Sequence, residues 1–173
     1  SSGDLTTALA DSAIETVRLG ANIEISASLA VSRTVTLDLN GYVLKKTGDG
    51  GVIKVESDGK LTLTDSNTGK QTHYFTKNDD ALWVWDDTAT DSDYSVTGGV
   101  ITGGKGFLED TNVCGGGVYV ANGGEFTMNG GNIAGCTAQA TATGRAYGGG
   151  VFVAENGKFT MNGGNIAGCT ADG

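Results

Sequence analysis

Proline is absent from this 173-residue chain. Inside a sheet every backbone N–H belongs to a hydrogen-bond ladder and proline has none to give, so its absence fits a chain of strands paired on both sides. It also excludes a proline-rich linker or a collagen-like chain, although glycine, with 30 residues, far exceeds the roughly 7% of ordinary usage. Cysteine is scarce and odd in number: Cys114, Cys136 and Cys169 make no disulfide framework and show no metal-ligand spacing. No metal site and no cofactor is expected. The single histidine, His73, lies in a polar stretch and reads as a solvated side chain. Positive charge is outweighed, 11 Lys and Arg against 20 Asp and Glu, and the net charge of −9 disfavours nucleic acid and anionic membrane as partners. No apolar run approaches the ~20 residues of a membrane span, so no membrane insertion is expected. The chain opens Ser1-Ser2-Gly3 with neither initiator Met nor signal peptide, which reads as a segment of a longer protein, monomeric as a fragment.

What is present is a repeat. GGGVYVANGGEFTMNGGNIAGCTA at 115–138 returns at 148–171 as GGGVFVAENGKFTMNGGNIAGCTA, changed only at Tyr119/Phe152, Asn122/Glu155, Gly123/Asn156 and Glu125/Lys158. A period near 33 residues is that of a solenoid. Weaker copies extend it. YSVTGGVITGG at 94–104 aligns with 126–136, pairing Tyr94 with Phe126, Val96 with Met128 and Ile101 with Ile133. IKVESDGKLTL at 53–63 aligns with 118–128 at a distance close to two periods. Within one unit Val118 and Val120, then Phe126 and Met128, then Ile133 alternate in short runs separated by Asn-Gly and Gly-Gly. That is strand, turn, strand, turn, strand. A single such unit buries almost nothing, whereas stacked units pair strand on strand at ~4.8 Å and share one core. The pattern predicts an all-β, right-handed single-stranded parallel β-helix of about five coils over 17–173, continuing beyond the C-terminus, with residues such as 138–147 thrown out as loops.

DLTTALADSAIE places Leu5, Ala8, Leu9, Ala13 and Ile14 at helical spacing, with Asp4 as a candidate N-cap. An N-terminal capping helix over 4–16 is expected, covering an otherwise open solenoid end. The stretch VRLGANIEISASLAVSRTVTLDLNGYVLKK at 17–46, with its TLDLNG, resembles the opening coil of pectate-lyase-like right-handed β-helices in large bacterial surface proteins of the gut-anaerobe type. The GGGVYV and GGEFTMNGGNIAG stretches resemble the repeats that follow in them. The resemblance implies an extracellular protein, on the bacterial surface or secreted. Such solenoids serve adhesins, passenger domains, polysaccharide lyases and glycosidases alike, so function must be argued from a site.

Enzymes of this architecture use clustered carboxylates, with Ca²⁺ and an Arg or Lys base in the lyases. Here the arginines Arg18, Arg33 and Arg145 share no repeat position with a carboxylate cluster. Asp79, Asp80, Asp86, Asp87, Asp91 and Asp93 do cluster, and read as solvated acidic loops in preference to a Ca²⁺ site or a catalytic pair. Cys136 and Cys169 occupy one repeat position and are expected as buried free thiols. Asn132 and Asn165 read as a short structural ladder. An ice-binding row of Thr62, Thr127 and Thr160 is interrupted by Ser95 and flanked by charge. The strongest candidate is aromatic: with Val118, Val120, Val151 and Val153 inward, Tyr119 and Phe152 point outward, and the same parity in ALWVW turns Trp83 outward with Leu82 and Val84 inside. Trp83, Tyr119 and Phe152 then form an exposed stripe across three coils, with Trp85 beside it. Such a patch marks a binding surface unless it is a mere stacking ladder or a loop covers it. The expected function is a non-catalytic, adhesin-like module that binds a host protein, a glycoprotein or immunoglobulin, or a glycan. The alternative is a fragment of a polysaccharide-active lyase or glycosidase.

Overall fold

A computed structural model describes residues 1–69 and 71–173. The protein is mostly β, with one short helix, α1 (Ser2–Ala10), at its start. No helix among the described residues is long and apolar enough to cross a membrane.

After α1 the chain passes repeatedly through three parallel sheets in the same order, the last passage entering the first two and ending on a strand that pairs outside them. The first passage supplies β1 (Thr16–Arg18), β2 (Ile23–Ile25) and β3 (Leu29–Val31); the second supplies β4 (Thr34–Asp38), β5 (Val43–Lys46) and β6 (Ile53–Val55). The third begins with β7 (Lys60–Thr64), leaves for β8 (Thr72–Lys77), β9 (Trp83–Asp86) and β10 (Tyr94–Thr97), and returns at β11 (Val100–Thr102). It leaves again for β12 (Phe107–Glu109) and β13 (Asn112–Cys114) and closes with β14 (Val118–Val120). The fourth runs β15 (Glu125–Met128), β16 (Asn132–Ala134), β17 (Thr137–Gln139), β18 (Ala146–Tyr147) and β19 (Val151–Val153); the last is β20 (Lys158–Met161), β21 (Asn165–Ala167) and β22 (Thr170–Asp172). The first sheet has the order β1-β4-β7-β15-β20, the second β2-β5-β11-β16-β21 and the third β3-β6-β14-β19. Parallel sheets visited in rotation fit a β-helix.

Register turns the alternating pattern into columns. Val35, Leu61, Phe126 and Phe159 stand above one another in the first sheet. Leu44, Ile101, Ile133 and Ile166 do so in the second, and Ile53, Val118 and Val151 in the third. These columns converge on one core, where burying each large side chain contributes about 1.5–3 kcal/mol and the Phe126 and Phe159 rings stack at 5.1 Å.

The helix covers the first passage with Leu5 and Leu9, both buried. It is shorter than the expected 4–16 and begins earlier. Ser1, not Asp4, is the N-cap, and Asp4 is the return arm of a capping box. The Asp11 carboxylate takes the Ala13 amide at 2.9 Å and turns the chain away, while the Arg33 guanidinium closes the last turn on the Leu9 and Ala8 carbonyls at 2.7 and 3.0 Å.

Two repeat alignments resolve differently from expectation. Residues 53–63 lie directly beneath 118–128, since Ile53 pairs with Val118 and Leu61 with Phe126. The extra length between them is made of excursions, not of an intervening passage. Tyr94 and Val96 accordingly do not sit beneath Phe126 and Met128; they belong to β10, antiparallel to β8. Ile101 does pair with Ile133. The segment 138–147 is also more than a loop, because β17 pairs in parallel with β22, and β18 with β13.

The corner where the second excursion leaves is lined by Gly103 and Gly104 and has no room for side chains. A Cβ on Gly104 would overlap the Gly116 carbonyl. Gly104→Ala should therefore cost about 1–3 kcal/mol of stability, read as a lower urea midpoint. Gly20→Ala, where nothing lies within 4 Å, should stay within ~0.5 kcal/mol of the parent.

Candidate ligand-binding groove

Strand β7 ends at Thr64, and the next residue fastens the first excursion to the scaffold. The buried Asp65 carboxylate accepts the Gly41 amide at 2.7 Å and the Gly99 amide at 2.7 Å, tying the point where the excursion rejoins to the passage below. The neighbouring Asp38 does the same for the corner itself. Burial opposes its charge, but hydrogen bonds from the Ser66 and Asn40 amides and from Arg18 hold its carboxyl below the ordinary range.

Strands β8, β9 and β10 form an antiparallel sheet with β8 in the centre. Its Phe75 and Val96, with Trp83, Trp85 and Tyr94 around them, cover Val43, Val100 and Ala134 of the second sheet. This is a second small core, outside the main one. Phe75 is fully buried, its ring 5.2 Å from Tyr94, and Trp83 packs on Tyr94 at 5.1 Å. Burial pushes the Tyr94 phenol up to about 12.

Where this cover ends, a groove of about 300 Å³ opens between β9 and the second sheet. Trp83, Val84 and Trp85 line it from β9, Thr102, Gly103, Gly104 and Gly135 form its floor, and Lys45, Lys46 and Lys105 complete the lining. Asn78, Leu82 and Lys105 also line a wider extension of about 710 Å³ that reaches Leu108 and Val113. The tryptophans carry cations: Lys45 Nζ lies 5.3 Å from the Trp85 ring centroid and Lys77 Nζ lies 5.1 Å from that of Trp83. On the other side of Trp85 is a more open hollow of about 460 Å³, bounded by Asn22, His73, Tyr74, Asp86 and Asp87.

The expected aromatic stripe is thus divided. Tyr119 and Phe152 pair in register, with flanking valines facing the core, and their rings stack at 5.4 Å. The residue beneath Tyr119 is Lys54, not Trp83. Trp83 and Trp85 sit instead on β9, because alternation in ALWVW serves an antiparallel strand as well as a parallel one. Val84, expected inside, is 41% exposed. Tyr119 itself is only 7% exposed. The β12–β13 hairpin folds over it, bringing Phe107 to 5.7 Å, and Lys54 lies over its ring while pairing with Glu109 at 3.3 Å. Of the four aromatics, Trp83 and Trp85 line the groove, and the three lysines beside them carried no signal in the sequence.

The aspartates do not form one cluster. Asp79 and Asp80 lie in the β8–β9 turn, organised by the Asn78 side chain, whereas Asp87, Asp91 and Asp93 lie beyond the other end of β9. The Asp86 carboxyl is held low by the Thr88 hydroxyl and amide. Among the described residues no group of three or more His, Cys, Asp or Glu is placed to hold a metal ion. His73 differs from its expected solvated state: it is buried, with Nε2 donating to the Gly41 carbonyl at 3.1 Å and its ring edge-on to Trp85. Cys136 is buried and free beside the half-buried Cys169, and the neighbouring Cys169 side chain together with burial pushes the Cys136 thiol up. Comparison with protein-family models, curated proteins and solved structures returned no match, so the pectate-lyase-like resemblance rests on the residues quoted for it.

Two outcomes follow from these placements. Tyr119→Ala should lower stability by about 3 kcal/mol, seen in denaturant melts, because it removes a buried ring packed between Phe107 and Phe152. For His73, burial pulls the folded-state pKa below the ordinary 6.5. Between those two values the unfolded chain binds more protons than the folded one, so stability is full above pH 6.5 and falls with pH until the folded-state pKa is passed. Urea midpoints across pH 4–8 should show this decline in the parent chain and less of it in His73→Gln.

Proposed function

We propose that this chain is a β-helix module of a bacterial surface or secreted protein, and that it binds a host glycan, free or on a glycoprotein, without turning it over. Strands entering three parallel sheets in fixed rotation support a single-stranded β-helix of about five coils, one passage to a coil; its right hand and its extracellular setting follow from the resemblance. The observation that carries the binding reading is the pair Trp83 and Trp85, standing on one strand along an open groove with a floor of glycine and threonine. Flat indole faces suit the apolar faces of sugar rings. The amide of Asn78 and the hydroxyls of Thr102 and Thr137 offer the few polar contacts that orient a ligand in such a site. Glycosidic cleavage by paired carboxylates needs two acids about 5–9.5 Å apart across the bond. The narrow part of the groove beside the tryptophans is lined by no Asp or Glu, and Asp49 and Asp80 enter only in the wider extension; the tryptophan pair favours binding over the alternative of a polysaccharide-active enzyme fragment.

A glycan array followed by calorimetry tests this. Trp85→Ala should weaken binding by about 2 kcal/mol, as loss of an aromatic anchor does, with the thermal melt little changed. Unchanged affinity in Trp85→Ala, or release of reducing or unsaturated sugars by the parent chain, would overturn the reading.

A further inference from the structure

We infer that the groove selects anionic saccharides and holds their carboxylate or sulfate group at its lysine end. This rests on the glycan-binding reading above and adds the charge of the ligand.

The first support is charge. The chain has 20 acidic against 11 basic residues, yet the groove is lined by Lys45, Lys46 and Lys105 and by no carboxylate. Three of the few cations converge on one small cavity, brought from β5 and from the corner after β11. The narrow part of the groove thus gathers cations on a molecule of net negative charge, with carboxylates entering as the partners of Lys45 and Lys105 and in the wider extension.

The second support is hydrogen bonding that the groove leaves unfinished. Thr102 is 1% exposed, and its hydroxyl has no partner among the described residues. Buried hydroxyls are rarely left so, and this one belongs to the floor of the groove. Lys46 is 3% exposed; its ammonium donates to the Thr47 and Asp49 carbonyls. An ammonium carries three protons, which leaves one donor free for a ligand oxygen. Burial pulls the Lys46 pKa down, and the nearby Lys105 charge adds to this while Asp49 opposes it. An anion bound there relieves both the desolvation and the like-charge repulsion.

The other two lysines have partners that they can share. Lys45 lies 3.0 Å from Glu24 and Lys105 lies 3.7 Å from Asp49. The Glu24 side chain is 60% exposed and that of Asp49 fully so. Such exposed pairs are weak and turn readily toward a better-placed anion. The volume of about 300 Å³ accommodates a mono- or disaccharide, with a ring against Trp85 and its acidic substituent toward Lys105.

The test titrates tryptophan fluorescence with three probes: sialyllactose for carboxylate, sulfated N-acetyllactosamine for sulfate, and unsubstituted N-acetyllactosamine as the neutral control. At least one anionic probe should bind about tenfold or more tightly than the neutral one, and Lys45→Gln or Lys105→Gln should each remove about that factor. Added salt should weaken the anionic probes, and the two anionic arms report which group is held. Lys158→Gln, the same charge change on exposed β20, should leave all three affinities alone. Equal binding of charged and neutral probes, abolished by Trp85→Ala, overturns the charge inference and leaves the glycan reading standing. Anionic binding that ignores Lys45→Gln and Lys105→Gln overturns the placement, and no binding in any arm removes both.

Discussion

Every part of this molecule depends on the parallel backbone ladder that sets each passage in register on the one before. Once Val118 is paired with Ile53 below and Val151 above, side-chain direction at that position is the same on all three levels. An apolar residue at one level then requires an apolar neighbour at the next, and the columns of Val, Leu, Ile and Phe are the consequence. The same ladder explains the missing proline, because an interior strand donates its N–H groups to a neighbour. It also confines departures from the repeat to the corners. All three excursions leave there: one after β7, one after β11 and one after β16.

The outer face of the second sheet is where this constraint produces a site. Residues directed away from the core normally meet water, but Val43, Val100 and Ala134 are buried under β8, β9 and β10. Toward the edge of that cover the outward residues of the second sheet become the half-buried Lys45 and the buried Thr102, in register with one another. The groove is the boundary between the covered and uncovered parts of one sheet face. Its tryptophans lie at the edge of the second core, half in packing contact and half open, which is where an aromatic ring is both rigid and available.

Parity was legible in the sequence wherever a strand repeats. The core columns at Val118, Phe126 and Ile133 and the outward direction of Tyr119 followed from period-two alternation and the near-identical repeat. The burial of Tyr119 did not, because its cover is the hairpin at 107–114, which has no counterpart in the repeat. Trp83 was assigned to the wrong neighbours for a related reason: alternation says which residues share a face of a strand and nothing of which strand lies alongside. The helix was legible from Leu5 and Leu9, but its start was set by Ser1, whose hydroxyl and charged amine both engage Asp4. The lysine end of the groove was not legible at all, since Lys45 and Lys105 come to one groove only after a passage of the chain and the departure over 65–99 have been placed in space.

What makes the groove a defined shape is the way its β9 wall is fastened. An antiparallel excursion held only by its two ends would leave β9 free to swing, and a ligand would have to bear the entropy of fixing it. Here the Asp65 carboxylate closes the base of the excursion with two short hydrogen bonds, His73 adds a third to the Gly41 carbonyl, and Phe75 seats the sheet on Val100 and Ala134. Trp83 and Trp85 are thereby set at a distance from Lys45 and Thr102 that the scaffold determines. Recognition in such a site comes from preorganised geometry, and the repeat supplies the rigidity on which a departure from the repeat depends.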